Sequence, residues 1–554
     1  MLRHRSPRES LMDRRRFMLN AGLIAAGATL GGSILGCSEY DIELPCLGPA
    51  AAPVPVGGMT YIRASQIGCA LDCDLSTGRN KHTGGAATDD GPRMNAAMAG
   101  ATASNPITLI IDGSALISGL FLPAEGYWSI AGLGCGTGFF IKSGTNNDGI
   151  HNGGPLAAVP SDPGPPAPAR GMNVSLSNFT LNGNQGNGKT GDSSTGNTQG
   201  ITNGVANVWY FGINLMNLNN ITIQNVVVVN SPAYHVRLSN VGNVAISGCV
   251  LRSFGPSTDG LHFDGPANDI SISNCNITGG DDGIALNCPE GHFGNISRVT
   301  VTNCTFNSWS LMRLDSINSS GSPNRFNIDT VTVSNCTGTL DEAGFLLGAG
   351  AGANPNSIDG LTISNCSLTA PAVLEVGSNF GTIVLNSVTL IPSSLGEPQQ
   401  FASPGFGFLR TSPFFFGGTY VGSSLTFNGC SIKRTADVPV SAIILEYNSE
   451  ILDLIFNGFA LQNAGSYSPA PELINTASGS IGQLVLNSVN SRQFEALVPA
   501  TGFSNIGLVS GTGVLATGWE FPDAVMANGV PYISASTGHP SIKVGGVVEP
   551  YAPV

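Results

Sequence analysis

Three aspartates stand out because each lies beside a glycine at the start of a short, strand-like segment. Asp259 precedes Gly260, while Asp281 and Asp282 precede Gly283 one repeat later. Crowded carboxylates acquire different pKa values, so one stays protonated as an acid while another stays ionised as a base. Glycoside hydrolysis needs that pair of states. We therefore predict the three aspartates to be catalytic, although Asp-Gly alone is also an ordinary turn sequence.

Cationic side chains fall near these aspartates when residues 234–238, 259–263, 282–286 and 310–314 are aligned as successive strands. Side chains alternate along a strand and neighbouring strands lie about 4.8 Å apart, so the alignment predicts two rows. The inward row holds Val236, Leu261, Ile284 and Met312, and the outward row holds Arg237, His262, Ala285 and Arg313. We predict that Arg237, His262 and Arg313 bind substrate. An exposed strand position explains Arg237 and His262 equally well, and a surface pair with Asp315 would explain Arg313.

The elements that position these residues come from a strand–bend–strand unit that recurs along the chain. The bend residue tolerates a left-handed backbone, and the residue after it is predicted to point inward and stack. The bends are Asn178, Asn225, Gly248, Asn274, Asn303, Asn335, Asn365, Ser387, Gly429, Gly458 and Ser488. A period of roughly 20 to 30 residues without long helices predicts an all-β solenoid, a parallel β-helix of about ten or more coils. A β-sandwich is the rival, but it predicts hairpins and no single recurring bend residue.

Two steps of this repeat, from Phe179 to Val226 and from Val388 to Cys430, are nearly double length. Each contains either a coil with a divergent bend or an inserted loop. Upstream, Asp90 and Pro92 predict the start of a short helix that closes the N-terminal end of the stack. We divide the chain into a signal (1–36), a linker (37–60), the β-helix (61–502) and a C-terminal cap or small module (503–554).

The N-terminal segment has the features of an export signal. Arg14, Arg15 and Arg16 precede an apolar run from Leu19 to Leu35, a pattern that resembles a twin-arginine signal. The run ends before Cys37, in a sequence similar to a lipoprotein cleavage box, so Cys37 is a candidate for lipidation; a plain cleaved signal is the alternative. The expected location is periplasmic, cell-surface or secreted, with membrane attachment only through this lipid.

Composition excludes some partners. The net charge is −13, and clustered Lys and Arg of the kind that bind phosphates are not seen, so nucleic acid is not an expected partner. Twelve cysteines suit an exported protein. Five of them recur after bends as small stacked hydrophobes. Cys46, Cys69 and Cys73 lie in the looser N-terminal stretch and are the better candidates for disulfides.

Four short motifs appear in order and resemble those of polygalacturonase-type enzymes, glycoside hydrolase family 28. They are Ser257-Thr258-Asp259-Gly260, Gly280-Asp281-Asp282-Gly283, Gly291-His292-Phe293-Gly294 and Arg313-Leu314-Asp315. The resemblance implies a right-handed parallel β-helix that hydrolyses a polysaccharide with inversion, using no cofactor and no metal.

Carried over by position, the resemblance implies Asp281 as general acid and Asp259 and Asp282 as the groups that activate water. His292 and Arg313 would orient the sugar and the carboxyls. An inverting site needs its two carboxyl groups about 6.5 to 9.5 Å apart, which carboxylates on neighbouring coils can meet.

The motifs also depart from the family. Ser257 replaces the usual Asn, Phe293 replaces a Gly, and Asp315 stands where the family places a Lys that helps to hold a uronate carboxylate. A neutral or differently charged sugar is therefore as good a candidate as galacturonate, with Asp315 in the substrate-binding set. Two other functions fit the same pattern: a calcium-dependent polysaccharide lyase, in which the aspartates hold the ion and Arg313 is the base, and a non-catalytic, glycan-binding surface β-helix. The oligomeric state is not predicted.

Overall fold

The computed structural model describes residues 58–552 apart from several internal segments. The segments outside the description are 146, 153–166, 186–209, 256, 289, 317–325, 349–357, 394–405, 412–420, 446–448, 469, 476–477, 491–493, 499–501, 513 and 515–518. The signal and the lipidation site at Cys37, together with Cys46, also lie outside the described residues. Among the described residues, no helix is long and apolar enough to cross a membrane.

The molecule is a stack of coils whose strands form three parallel faces, as the repeat predicts. In the first face the strands precede each bend. It contains Thr60–Arg63, Ile107–Ile111, Gly126–Gly132, Gly171–Ser177, the ends of Ile213–Gln224, Val236–Ser247 and Leu261–Ser273, then Ile296–Thr302, Ile328–Ser334, Ile358–Ser364, Phe380–Asn386, Val421–Asn428, Glu450–Asn457, Ser480–Asn487 and Ile506–Ser510.

The second face follows the bend. It contains Ser114–Ile117, Gly138–Ile141, Thr180–Asn182, Val227–Val229, Val250–Arg252, Asn276–Thr278, the starts of Thr305–Asp315 and Thr337–Gly348, then Ser367–Ala370, Thr389–Pro392, Ser431–Arg434 and Ala460–Asn463.

The third face carries the candidate site. It contains Leu120–Phe121, Ile150–His151, the starts of Ile213–Gln224, Val236–Ser247 and Leu261–Ser273, then Asp282–Asn287, the ends of Thr305–Asp315 and Thr337–Gly348, and Ala372–Gly377, Phe406–Thr411, Val440–Ile444 and Ile474–Asn475. Because the strands of this face stack in parallel, a residue on one coil lies directly above its equivalent on the next.

The bends have the predicted backbone. All eleven bend residues have positive φ, between 51° at Asn225 and 78° at Gly458. Asn225 also donates its side-chain amide to Asn178 on the preceding coil, at 3.2 Å. From Ser387 onward the bend is Ser or Gly and the ladder moves one residue earlier: Asn457 donates to Asn428 at 2.8 Å. Stacked amides thus satisfy each other's hydrogen bonds along the edge of the coils.

The residue after each bend points into the core. Cys249, Cys275, Cys304, Cys336, Cys366 and Cys430 are buried free thiols, together with the equivalent Phe and Val residues. The prediction of disulfides for Cys69 and Cys73 was wrong, since both are buried free thiols that pack with apolar neighbours. Cys135, which the sequence did not single out, is disulfide-bonded.

The two long steps in the repeat add no coil to the stack. Thr180–Asn182 pairs directly with Val227–Val229, and Thr389 pairs with Ser431. The strands on either side of each long step are therefore neighbours.

A short helix covers the N-terminal end of the stack. The helix Gly91–Met98 has Asp90 as its N-cap residue and Pro92 in its first turn, as predicted, and its Met94 and Met98 are fully buried in the main core. Short 3-10 helices occur at Ser65–Ile67, Gly502–Asn505 and Asp523–Val525. Near the C-terminus a separate sheet contains Glu520–Phe521, Pro531–Ser534, Pro540–Val544 and Val547–Pro550, and Ala470–Glu472 pairs with Phe494–Ala496.

Candidate active site

The third face has the register that the sequence alignment predicts. Each strand pairs with its neighbour without a shift at this point, which places the outward side chains in one row. The pairs are Arg237 with His262, His262 with Ala285 and Ala285 with Arg313, and the inward Val236, Leu261, Ile284 and Met312 pair in the same way. Side chains far apart in sequence therefore meet on one face of consecutive coils.

The three predicted aspartates converge. One carboxylate oxygen from each of Asp259, Asp281 and Asp282 lies within 4.8 Å of the corresponding oxygens of the other two. Asp282 starts the strand Asp282–Asn287, and Asp259 lies two residues before the strand that pairs with it. Asp259 and Asp282 are buried, whereas Asp281 is partly exposed. The cluster is thus two interior carboxyls with a third that reaches toward the surface.

The environment separates these carboxyls in proton affinity. Burial, followed by the charge of Asp281, raises the pKa of Asp259 to about 6, even though His262 donates a hydrogen bond to it. Burial and the charges of Asp281 and Asp259 raise the pKa of Asp282 well above its usual range. Ser310 donates its hydroxyl to Asp282 Oδ1 at 2.6 Å and partly offsets that rise. Such a cluster can hold a proton at a pH where an isolated aspartate has lost it.

His262 lies at the centre of a second set of charges. Its Nδ1 is 2.7 Å from Asp259 Oδ2, and its Nε2 is 3.1 Å from both Asp264 Oδ1 and Glu290 Oε2. Its ring stacks on Tyr234, with centroids 3.7 Å apart. Burial alone would lower the pKa of His262, but the charge of Glu290 and the bonds to the three carboxylates raise it well above the ordinary value. His262 is therefore an imidazolium that donates from both nitrogens.

Arg237 and His262 are not exposed strand residues. Each is 1% exposed, and Arg237 Nη2 lies 2.6 Å from Asp264 Oδ2 while its guanidinium lies over the Phe211 ring. A buried cation requires such partners, because an unpaired charge in the interior is strongly unfavourable. Their described ion pairs are with carboxylates of the protein.

Arg313 lies beside the aspartate cluster and is paired with Asp315, Nη2 to Oδ2 at 2.7 Å. Burial opposes its charge, but Asp315 and then Asp282 and Asp281 raise the pKa of Arg313 above its ordinary value. Asp315 is only 3% exposed. The pairing of Arg313 with Asp315 that the alternative named is therefore present, with Asp315 buried and Arg313 partly exposed.

His292 is buried in the turn after Asp282–Asn287, and its backbone amide donates to the Gly265 carbonyl at 3.3 Å. The preceding Gly291 packs on Asp264, where an added Cβ would lie 2.7 Å from the Asp264 Cβ. This turn thus closes over the charge set around His262.

Four residues of the site were missed at the sequence level: Tyr234, Asp264, Glu290 and Ser310. Asp264 had a usable signal, because it lies two residues after His262 and so shares its face of the strand. Ser310 pairs with Asp282 in the register and had the same signal. Glu290 and Tyr234 lie in turns, where side-chain direction does not follow alternation.

Two groups in the described residues have the composition of a metal site: Asp259 with Asp281 and Asp282, and His262 with Asp264 and Glu290. The second fits poorly, because a protonated histidine has no lone pair to offer. The three aspartates offer the oxygen ligands that calcium prefers, but metal ligands must be deprotonated, and the raised pKa values of two of them oppose this.

Comparison with known proteins agrees with this geometry. The model of glycosyl hydrolases family 28 matches residues 168–370, which include all four motifs. No match was found among curated proteins.

Two solved structures illustrate the likeness of fold. The family 28 exopolygalacturonase of Yersinia enterocolitica is 12% identical, with a TM-score of 0.51, and the alignment covers 76% of this chain and 79% of that one. A mutant tailspike protein of E. coli bacteriophage HK620, in complex with a pentasaccharide, is 8% identical with a TM-score of 0.52, over 81% and 78% of the two chains. The fold is a right-handed parallel β-helix. The comparisons confirm the resemblance of this chain to family 28 glycosyl hydrolases and support its assignment as a glycoside hydrolase.

Proposed function

We propose that the protein is an exported hydrolase that cleaves a polysaccharide at the cluster of Asp259, Asp281 and Asp282. The observation that carries the proposal is the convergence of these carboxylates within 4.8 Å, with burial raising the pKa values of Asp259 and Asp282, inside the region that matches the family. General acid–base catalysis requires one group that gives a proton and one that takes it.

Asp281 is the proposed general acid, and Asp259 and Asp282 activate the attacking water. Asp281 is the member of the cluster that is partly exposed, so it is placed to meet a glycosidic oxygen. The raised pKa values of the two buried members mean that the cluster as a whole retains a proton near pH 6. Because these two buried groups interact strongly, that proton belongs to the pair and not to one residue.

Arg237 and His262 act as positioning residues in this proposal, in place of the substrate-binding role expected from the sequence. His262 holds the Asp259 carboxylate at 2.7 Å, and Arg237 holds Asp264, which in turn bonds to His262. Arg313 and His292 are proposed to orient the sugar. A rigid chain of charged hydrogen bonds fixes the reacting carboxyl to within the tolerance that catalysis requires.

Inversion rests on the resemblance to the family. The nearest oxygens of the three carboxylates are closer than the generic separation of 6.5 to 9.5 Å, because Asp281 and Asp282 are adjacent and Asp259 lies only one coil away. The anomeric configuration of the first product, read by NMR, decides this point. A product that retains the configuration of the substrate would refute inversion.

A reducing-end assay on plant, algal and bacterial polysaccharides tests the proposal. Wild-type protein should release reducing ends, and Asp281→Asn should release none while keeping its melting temperature. The exposed Asp453→Asn serves as the matched control and should cleave normally. Cleavage by Asp281→Asn at the wild-type rate refutes the acid assignment. Unsaturated, ultraviolet-absorbing products and loss of activity with a chelator would identify a lyase, and binding without release of ends would identify a glycan-binding protein.

A substrate with a good leaving group separates acid from base. A nitrophenyl glycoside of the preferred sugar needs little protonation of its leaving group, so Asp281→Asn should recover much of its rate on it. Asp282→Asn should stay inactive, because activation of water is still needed. If Asp282→Asn recovered activity on this substrate and Asp281→Asn did not, Asp282 would be the acid and Asp281 the base.

Export through the twin-arginine pathway and lipidation of Cys37 are part of the proposal. The supporting features are Arg14–Arg16, the apolar run from Leu19 to Leu35, and the cysteine directly after it. Mass spectrometry of the mature N-terminus tests both: a diacylated Cys37 is expected, and a soluble product cleaved elsewhere would contradict lipidation. Cys37→Ser should then release the protein from membranes.

A further inference from the structure

Among the described residues, the three cations of the outward row are each paired with carboxylates of the protein itself. In the described part of the chain, Arg237 is paired with Asp264, His262 with Asp259, Asp264 and Glu290, and Arg313 with Asp315. Carboxylates therefore outnumber cations in the site, with Asp281 and Asp282 in addition to the paired ones. The local charge is acidic, in keeping with the net charge of the chain.

A uronic acid unit needs the opposite arrangement. Its carboxylate is held by an Arg or Lys whose hydrogen bonds are free to point at it, best in a bidentate pair. Arg313 is the most accessible of the three cations, with 17% of its side chain exposed, but Asp315 occupies it at 2.7 Å. A uronate that approached Arg313 would compete with Asp315 and would meet the neighbouring charges of Asp281 and Asp282, which already act on this guanidinium.

The row beside Arg313 holds no cation among the described residues. Asp315 pairs in register with Asn287, and Asn287 with Asp264. The amide nitrogen of Asn287 bonds to Glu290, and its Oδ1 is enclosed by the protein. A carboxylate in this row would meet acceptor oxygens and no positive partner.

We propose that the site selects a neutral glycan and rejects polyuronates, and that Asp315 is the residue that sets this preference by occupying Arg313. The inference rests on the proposed function, because it concerns the sugar that binds at the same carboxylates. The pairing leaves Arg313 rigid and neutralised, so a sugar is held through hydroxyls. Ring carbon C5, which carries the carboxylate in a uronate, would carry a hydroxymethyl or methyl group in the substrate.

Matched polymers test the proposal. Each polysaccharide of the panel is offered in two forms that differ only at C6: uronans as such and after carboxyl reduction, and neutral glycans as such and after C6 oxidation. We expect the best substrate to be a neutral form, with kcat/KM at least tenfold higher than for its C6-oxidised partner. A uronan as best substrate, or equal cleavage of both forms, overturns the inference.

Variants at Asp315 link the preference to this residue. Asp315→Asn removes the competing charge with little change of shape and should reduce the preference for the neutral form by about tenfold. Asp315→Lys should reverse it. Melting temperatures report whether each variant folds, and a folded Asp315→Asn with the wild-type ratio overturns the role of Asp315.

Binding separates this inference from the proposed function. Affinity electrophoresis of Asp281→Asn in gels that contain each polymer measures charge selectivity without turnover. Retardation by neutral but not by oxidised polymers supports the inference even if wild-type protein releases no reducing ends, in which case the proposed function fails alone. Retardation by oxidised polymers, or by none, refutes it.

Discussion

Replacing Asp259 by Asn should stabilise the fold at neutral pH while it removes turnover. Burial and the charge of Asp281 raise the pKa of this carboxyl from 3.8 to about 6 in the folded protein. The folded state therefore binds the proton more tightly than the unfolded chain. The free energy of unfolding contributed by this group is fully present below pH 4 and is lost as the pH rises through about 6.

The magnitude follows from the shift. About two pKa units correspond to ~3 kcal/mol at 25 °C. Asn carries no charge, and its side-chain oxygen can still accept the hydrogen bond that His262 Nδ1 gives to Asp259 Oδ2. An unfolding entropy of ~2.1 cal/mol/K per residue gives ~1 kcal/mol/K for a chain of this size, so the gain in melting temperature is ~3 °C.

Calorimetric melting of wild type, Asp259→Asn and the exposed control Asp453→Asn between pH 4 and 7.5 provides the assay. The melting temperatures of wild type and Asp259→Asn should agree at pH 4 and separate to ~3 °C at pH 7.5, with the control following wild type throughout. Reducing-end release by Asp259→Asn should be absent at every pH. A variant that is no more stable than wild type at pH 7.5 would show that this carboxyl is not held against an unfavourable environment, and the reasoning about its pKa would fail.

Three further predictions concern neighbouring groups. The buried carboxyls of Glu342 and Glu375 both pair with Arg410. Burial and the charge of Glu375 raise the pKa of Glu342 to about 10, so Glu342→Gln should melt within ~1 °C of wild type at pH 7, whereas Glu375→Gln should melt several degrees lower; equal losses in calorimetry would refute a protonated Glu342. Ser310→Ala removes a hydrogen bond that favours ionised Asp282, so the acidic limb of kcat/KM against pH should move up by about one unit, and an unmoved limb would contradict Asp282 as a base. His262→Gln should lower kcat ~100-fold with KM within about twofold, because the base is displaced and the sugar is not; a change confined to KM would identify a substrate ligand instead.

The fold could be predicted from sequence because a single local rule repeats in it. A left-handed bend restricts its residue to Asn, Gly or Ser, and the next position must fit inside the coil, so both positions show a visible pattern. The same regularity gives the register of the third face and therefore the convergence of Asp259, Asp281 and Asp282. Because the unit repeats, the position of a residue in the sequence predicts the coil and the face on which it lies.

The remaining features do not follow from periodicity. Alternation showed that the side chains of Arg237 and His262 point away from the core. It could not show that they are buried, because their burial depends on side chains such as Glu290 and Tyr234, whose directions are set by tertiary contacts. Similarly, spacing could not distinguish the thiols of Cys69 and Cys73, which are packed in cores, from the disulfide at Cys135. Sequence patterns identify which elements stack, whereas the partners of side chains in turns are known only from the three-dimensional structure.

The charge set around His262 explains how an acidic cluster can be kept inside a β-helix. Interior carboxylates destabilise the coils that carry them, and the imidazolium of His262 lowers that cost for Asp259 and Asp264 together. Asp282 has no such cation in direct contact in the described structure and has only the Ser310 hydroxyl, and burial with the charges of Asp281 and Asp259 raises its pKa well above the usual range. Both buried aspartates thus hold a proton more tightly than an exposed aspartate does, which acid–base chemistry uses. A rigid stack that spreads the strain over many coils is well suited to maintain such an arrangement.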